Sequence, residues 1–230
     1  MKPFFETSVY FGVVISLAAY EIGRLLKRKF KLAIFNPLLI AILLTMGAIC
    51  LLGVNYESYM SGAKYISYLL TPATVCLAVP LYEQTALLIK HIRALAAGIA
   101  SGVLASVTSI LILSKLFALS HEQYVTLLPK SITTAIGMGV SAELGGAVTI
   151  TVAVIIVTGI LGNVIAEGIF RLFRIREPVA KGLALGTAAH AIGTAKALEI
   201  GEVEGAMSSL AITVCGLVTA AVASFFAQLM

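Results

Sequence analysis

Charged side chains are scarce. Asp, Glu, Lys and Arg make up 12% of the 230 residues against 60% hydrophobic residues, and mean hydropathy is +1.03. So little charge cannot clothe a water-soluble domain, so the composition implies a membrane protein. Cysteine is sparse too: Cys50, Cys76 and Cys215 lie in apolar stretches without a CxxC pair, which gives them the role of small buried hydrophobes. The three histidines, His91, His121 and His190, are too scattered for a zinc site. There is no P-loop, GxSxG, HExxH or glycosidase-like carboxylate pair, so neither catalysis nor a metal or cofactor is expected. The short alternating strands of an outer-membrane barrel are missing, which leaves an all-α polytopic protein.

The net charge of +5 does not point to nucleic acid, because most of the basic residues sit beside apolar runs, in "RLLKRKFK" (24–31), "KHIR" (90–93) and "RLFRIREPVAK" (171–181). Such blocks are cytoplasmic anchors under the positive-inside rule. They order six expected spans, at roughly 7–26, 36–53, 66–89, 94–117, 147–170 and 206–228, with both termini outside. The first is read as a span and not a signal peptide, since the stronger basic block follows it and no small-residue cleavage site closes it. Asn36 and Pro37 supply a cap and a first helical residue for the second. Pro72 and Pro80 imply a break in the third, and "VNYESYMSGAKYISY" (54–68) has the composition of an interfacial segment.

Within this single membrane domain of residues 1–230, two pieces fit neither a lipid-facing helix nor a loop: "LPKSITTAIGMGVSAELGG" (128–146) and "GLALGTAAHAIGTAKALEIGEVE" (182–204). Both are Gly-rich and part polar between apolar flanks, so they read as broken or re-entrant helices packed inside protein. The basic blocks stay on one face if the first enters from outside and the second from inside, an inverted pair of the kind that builds transporter sites. The competing reading is two ordinary spans with helix-packing glycines.

In the first piece Pro129 is expected to open a helix with Lys130, Ser131, Thr133 and Thr134 in its first turns. Free amides, hydroxyls and a cation suit a carboxylate. Back-bonding of the hydroxyls and snorkelling of Lys130 are the alternatives. In the second, Gly186-Thr187 and Gly193-Thr194 are seven residues apart with His190 between them, which on one helix makes a single hydroxyl stripe around a titratable ring. Lys196 is a further candidate, either for substrate or for an ion pair with Glu199. His190 stands against the simpler reading of a packing residue because ionisable groups at membrane depth usually serve pathways or pairs. Its pKa class makes proton coupling the mode it would serve. Gly98/Gly102 and Gly182/Gly186 form small-residue faces suited to helix association, so a homo-oligomer is expected.

The ordered set "NPLL" (36–39), "LLTPATVCLAVPLYEQ" (69–84), "LPKSITTAIG" (128–137), "TGILGN" (158–163), "GLALGTAAHAIGTAKALE" (182–199) and "EGAMSSLA" (204–211) resembles the LrgB/CidB family over nearly the full chain. Departures are Ala135 and Ala147, where the family pattern has proline, which implies a softer first break, and Ala189, where it has serine before His190. The resemblance implies a multi-pass protein of the bacterial cell membrane. It also implies a small LrgA/CidA-type membrane partner, and either antiholin- or holin-like control of murein hydrolases and lysis or, through other relatives, movement of pyruvate, glycolate or glycerate. The residues favour a transporter or facilitator of a small monocarboxylate held by Lys130, Ser131, Thr133, Thr134, Thr187, His190, Thr194 and Lys196. A holin needs no hydroxyl-lined broken helices.

Overall fold

Helix starts and stops follow the local chemistry of the chain. The computed structural model describes residues 8, 10–30, 35–69, 72, 75–76 and 78–230, and the regular elements described here are all helices. They are α1 (Phe11–Phe30), α2 (Pro37–Leu52), α3 (Tyr56–Ser67), α4 (Ala78–Glu83), α5 (Thr85–Lys90), α6 (Ile92–Leu116), α7 (His121–Leu127), α8 (Thr134–Glu143), α9 (Val148–Leu172), α10 (Pro178–Ile200) and α11 (Glu202–Ala227). The chain divides into two compact units, residues 1–76 and 77–230.

In the first unit α1 runs four residues past the expected end at 26, because Lys27, Arg28 and Lys29 form good helix and suit the negative C-terminal end of its dipole. Asn36 caps α2, its Oδ1 accepting from the amides of Leu38 (2.9 Å) and Leu39 (3.3 Å), with Pro37 as first helical residue. Gly53 closes α2 in the left-handed region at φ 60°. The interfacial stretch is helix α3, which exposes Tyr56, Tyr65 and Tyr68. Both helices pack on α1 at its glycines: Gly23 lies against the Pro37 backbone and Gly12 against the backbone of Tyr59 and Ala63. Close backbone approach of this kind is what associates helices where lipid removes the hydrophobic drive between them.

The span expected over 66–89 lies partly outside the described residues. Its described remainder is short helix: α4, which contains Pro80, a turn at Gln84, then α5 and another turn at His91. Cys50 and Cys76 are exposed, contrary to the buried role expected of them, because their side chains lie on faces that no other helix of their unit covers; Cys215 is buried.

In the second unit α6, α9 and α11 are long and apolar enough to cross a membrane, and they coincide with the expected spans at 94–117, 147–170 and 206–228. Their outer faces expose Leu104, Ile112, Val157, Leu161 and Leu217, an apolar surface that water would not support and a bilayer does. Against these three pack two helical hairpins. One comprises α7, a turn over 128–133 and α8. The other is α10 itself, which is not continuous: at His190 (φ 42°, ψ −135°) the backbone leaves helical geometry and doubles back. Gly193 consequently lies against the Leu185 carbonyl and Ala189, eight and four residues earlier. In a straight helix an eight-residue separation would span about 12 Å.

The hairpins enter from opposite ends. Val179 and Leu183 pack with Leu95, Ile99 and Met207, and Ala197 with Ala166, Phe170 and Ile175, so both limbs of α10 begin and end beside the basic block. The α7–α8 hairpin packs through Tyr124, Val125, Leu128, Ile132 and Val140 with the far ends of α6 and α11, at Val107, Ile110, Ala223 and Ala227. Its base is tied by a buried polar knot. Thr151 Oγ1 reaches the Thr126 carbonyl (2.9 Å) and Ser141 Oγ (2.7 Å), while Thr126 Oγ1 accepts from the Ala147 amide (2.8 Å). Ala147 occupies the cap position of α9, so the hairpin is fastened without the family's proline there.

Buried groups stripped of a partner lose about 1–3 kcal/mol each. Thr151→Val is therefore expected to lower stability by roughly that amount, and Thr151→Ser to restore most of it. Thermal unfolding of the purified variants in detergent checks this; an unchanged midpoint for Thr151→Val would show that the knot carries no weight.

Candidate functional site

The turn at 128–133 places a cation among hydroxyls. Pro129 does not open the next helix, as had been expected from sequence. It sits in the reversing turn, where the Lys130 amide donates to Leu127 (3.1 Å) and that of Ile132 to Pro129 (3.4 Å). Helix α8 starts only at Thr134, because Thr133, at φ −63° and ψ 145°, holds the extended geometry of a cap. The Thr133 side chain makes no capping bond, so the first amides of α8 are not capped by it. Ala135, in that first turn, is downstream of the break, and the break is complete despite the lost proline.

Lys130 is half-buried and Ser131 is buried. Lys130 Nζ donates to Ser131 Oγ (2.8 Å) and Ser106 Oγ (3.4 Å), and the two serine oxygens are 3.2 Å apart. No carboxylate pairs with Lys130 among the described residues. Ser106, on α6, escaped the sequence reading because it is one of several hydroxyls in that apolar span and nothing in their spacing singles it out.

The second turn is built on His190, which is 3% exposed. Its Nε2 is 2.9 Å from the Ile155 carbonyl; since a carbonyl only accepts, that nitrogen carries the proton. The ring lies on the backbone of α9 at Gly159, where a Cβ would come within 2.7 Å of Cε1 and 2.8 Å of Nε2. One turn on, Gly162 makes room for Ala189, and Asn163 Nδ2 donates to the Ile192 carbonyl (3.2 Å) just past the reversal. The stretch "TGILGN" is thus the cradle of the second turn. Its glycine spacing was visible, but what it receives was not.

The expected single stripe of Thr187, His190 and Thr194 does not form, because the chain reverses at its middle member. Thr187 back-bonds to the Leu183 carbonyl (2.8 Å) and faces Gly102 of α6, whereas Thr194 bonds to the His190 carbonyl (3.0 Å) and Ser208 Oγ (2.8 Å) of α11. Lys196 lies apart from the turn, in an ion pair with Glu167 Oε1 (2.6 Å) and a longer one with Glu199 (3.6 Å). The glycines expected to mediate association do so inside the chain: Gly98 and Gly102 receive Leu183 and Thr187, and Gly182 and Gly186 receive α11 at Met207 and Ala211.

The two turns share supports. On α6, Gly102 touches Thr187 and Ser106, one turn later, touches Lys130. On α9, the Ile155 side chain meets Gly137 of α8 while its carbonyl holds His190. A groove of about 710 Å³ runs between α6 and α10 from His91 and Glu177 past Ser101 to Thr187, whose side chain closes it at the end nearer the turns.

Two glycines of α9 separate packing from propensity. Gly159→Ala forces the His190 ring off its carbonyl and is expected to destabilise by about 1–3 kcal/mol, the usual range for overpacking. Gly168→Ala meets nothing within 4 Å. It should be neutral or stabilising by up to about 1 kcal/mol through helix propensity. Equal unfolding midpoints for the two variants would contradict the cradle.

The LrgB-like family profile matches residues 16–229. The antiholin-like protein LrgB of Bacillus subtilis (strain 168) is 39% identical over 223 residues, 96% of each chain. That of Bacillus mycoides (strain KBAB4) is 39% identical over 218 residues, 94% of this chain and 95% of its own. No solved structure matches. This is a family of membrane proteins and not a known enzyme family, in keeping with the three long apolar helices. With a profile covering almost the whole chain and relatives matched end to end, the protein belongs to the LrgB-like family.

Proposed function

We propose that the protein is a secondary transporter or facilitator of small monocarboxylates such as pyruvate or glycolate, working as a multi-pass protein of the bacterial inner membrane. The observation that carries this reading is Lys130: a half-buried cation at a hairpin turn that meets hydroxyls and, among the described residues, no carboxylate. A charge held out of water needs an opposite charge, and a substrate carboxylate supplies one. The acid would bridge Lys130, Ser131, Ser106 and the first amides of α8 with Thr133 and Thr134. Thr187 and His190 would line the opposite side, and the groove along α6 would admit substrate from the basic end.

Thr194 and Lys196 take supporting parts in this scheme, the first fixing the turn to α11 and the second joining α10 to α9. Alternating access then consists of the two hairpins exchanging which turn is open, each state selected by its own affinity for the acid. His190, with one nitrogen committed to Ile155, is the group through which proton coupling would run.

The name of these relatives, antiholin-like, favours a second reading, a regulator of lysis, for which the family resemblance implies a small LrgA/CidA-type partner. A homo-oligomer or such a partner would use faces other than the Gly98/Gly102 and Gly182/Gly186 pairs, which are occupied within the chain. Unselective dye release from vesicles, steep in protein concentration and indifferent to substitution at Lys130 and His190, is what that reading expects.

The transport reading expects saturable uptake of labelled pyruvate or glycolate into proteoliposomes. Lys130→Gln should cut it by roughly 10- to 100-fold, the loss of one charge-assisted bond, and His190→Gln should abolish any dependence on a proton gradient. Absence of uptake of every small carboxylate by the unaltered protein would end the proposal. Hairpin entry is checked separately by single cysteines at the exposed residues Glu122, Glu143, Glu177 and Glu202. The first two should label from one face of the membrane and the last two from the other; a split within either pair would mean that the hairpin crosses.

A further inference from the structure

A second cavity, of about 440 Å³, opens at the basic end between the close of α9 and the base of the α10 hairpin. Arg171, Arg174, Arg176 and Lys181 converge on it, with Glu167 as the acidic member of its lining. That carboxylate is already engaged, by Lys196 at 2.6 Å and Arg171 at 3.6 Å. Arg174, Arg176 and Lys181 have no ion-pair partner among the described residues. The cavity therefore holds an uncompensated positive charge, and its ligand is an anion.

The remaining wall is apolar, formed by Phe170, Ile175 and Ile200. Ionic and greasy surfaces side by side match an amphiphile better than a free inorganic ion. The end of α9 does not oppose an anion strongly, because its last carbonyls are satisfied. The Ile175 amide donates to the Phe170 carbonyl (2.8 Å) and the Arg174 amide to that of Arg171 (3.2 Å), the paired bonds of a Schellman close. On the other side lies the first turn of α10, whose amides favour negative charge.

We propose that this cavity binds the phosphate of an anionic phospholipid headgroup, Arg174, Arg176 and Lys181 taking the phosphate oxygens and Phe170, Ile175 and Ile200 the glycerol and upper acyl chain. The site is distinct from the turns at Lys130 and His190. It touches α9 and both limbs of α10, at Lys181 and Ile200, so an occupied headgroup clamps the base of the hairpin whose tip is His190. Lipid composition thereby sets how readily that hairpin moves.

The test is thermal unfolding of the full chain in neutral detergent, with phosphatidylglycerol, phosphatidylcholine of the same chains, or inorganic phosphate added. Saturating phosphatidylglycerol should raise the midpoint by about 4 °C or more, and phosphatidylcholine by less than half as much. Arg174 lies in the left-handed region at φ 55°, where glycine is favoured, so Arg174→Gly removes charge without straining the turn. The Arg174→Gly/Lys181→Gln protein should unfold near the unaltered midpoint without lipid yet lose the phosphatidylglycerol increment. Arg176→Gln/Lys181→Gln provides a second such pair. Arg93→Gln, which removes an exposed charge that does not line the cavity, should keep the increment. Equal effects of the two lipids, or an increment that survives both double variants, would overturn the proposal. A full increment from inorganic phosphate alone would assign the cavity to a soluble anion and overturn the lipid.

Discussion

A helix that stops inside a bilayer leaves amides and carbonyls that hydrocarbon cannot solvate, and the second unit of this protein is organised around meeting that requirement at His190. The reversal there is possible because α9 offers a cradle with no side chains in the way. Gly159 accepts the imidazole, Gly162 accepts Ala189, the Ile155 carbonyl receives the ring proton and Asn163 bonds the Ile192 carbonyl just past the reversal. With that support removed, a backbone geometry of φ 42° for a residue with a Cβ would have nothing to hold it. His190 is thus both the strained residue and the one whose side chain fixes the strain in place.

The first hairpin solves the same problem differently. It breaks over six residues, 128–133, and ties its base with the hydroxyls of Thr126, Ser141 and Thr151, against which Gly146 lies closely. The economy of the arrangement is that α6 and α9 serve both hairpins at successive turns. Gly102 and Ser106 on one, and Ile155 by side chain and carbonyl on the other, bring the two reversals to a common region. The two hairpins are thus packed on the same two helices within a turn of one another.

Charge is distributed by the same logic. Lys196 and Glu167 neutralise one another near the base of α10, where an ion pair joins two helices. Among the described residues Lys130 meets hydroxyls and no carboxylate, and Arg174, Arg176 and Lys181 line a cavity without an ion-pair partner. The paired charges fasten the scaffold; the unpaired ones are where a negatively charged ligand has something to gain.

The family was legible through the ordered motifs that resemble it, whereas composition and local pattern were enough to indicate the class of the protein, three long apolar helices, the Asn36–Pro37 start of α2 and irregular stretches over 128–146 and 182–204. These follow from apolar run length, capping chemistry and the density of glycine, all of which act within a few residues. The direction of Thr187 and Thr194 was not legible, because helical spacing holds only while the helix does, and it fails at His190. The start of α8 was misplaced for a related reason: Pro129 permits a helix start, but the reversal decides whether one occurs there. Ser106, Gly159 and Asn163, and the pairing of Lys196 with Glu167, belong to contacts between segments far apart in sequence. Only the tertiary structure decided them, since a residue's neighbours across a helix interface are set by how the helices pack and not by the residues beside it in the chain.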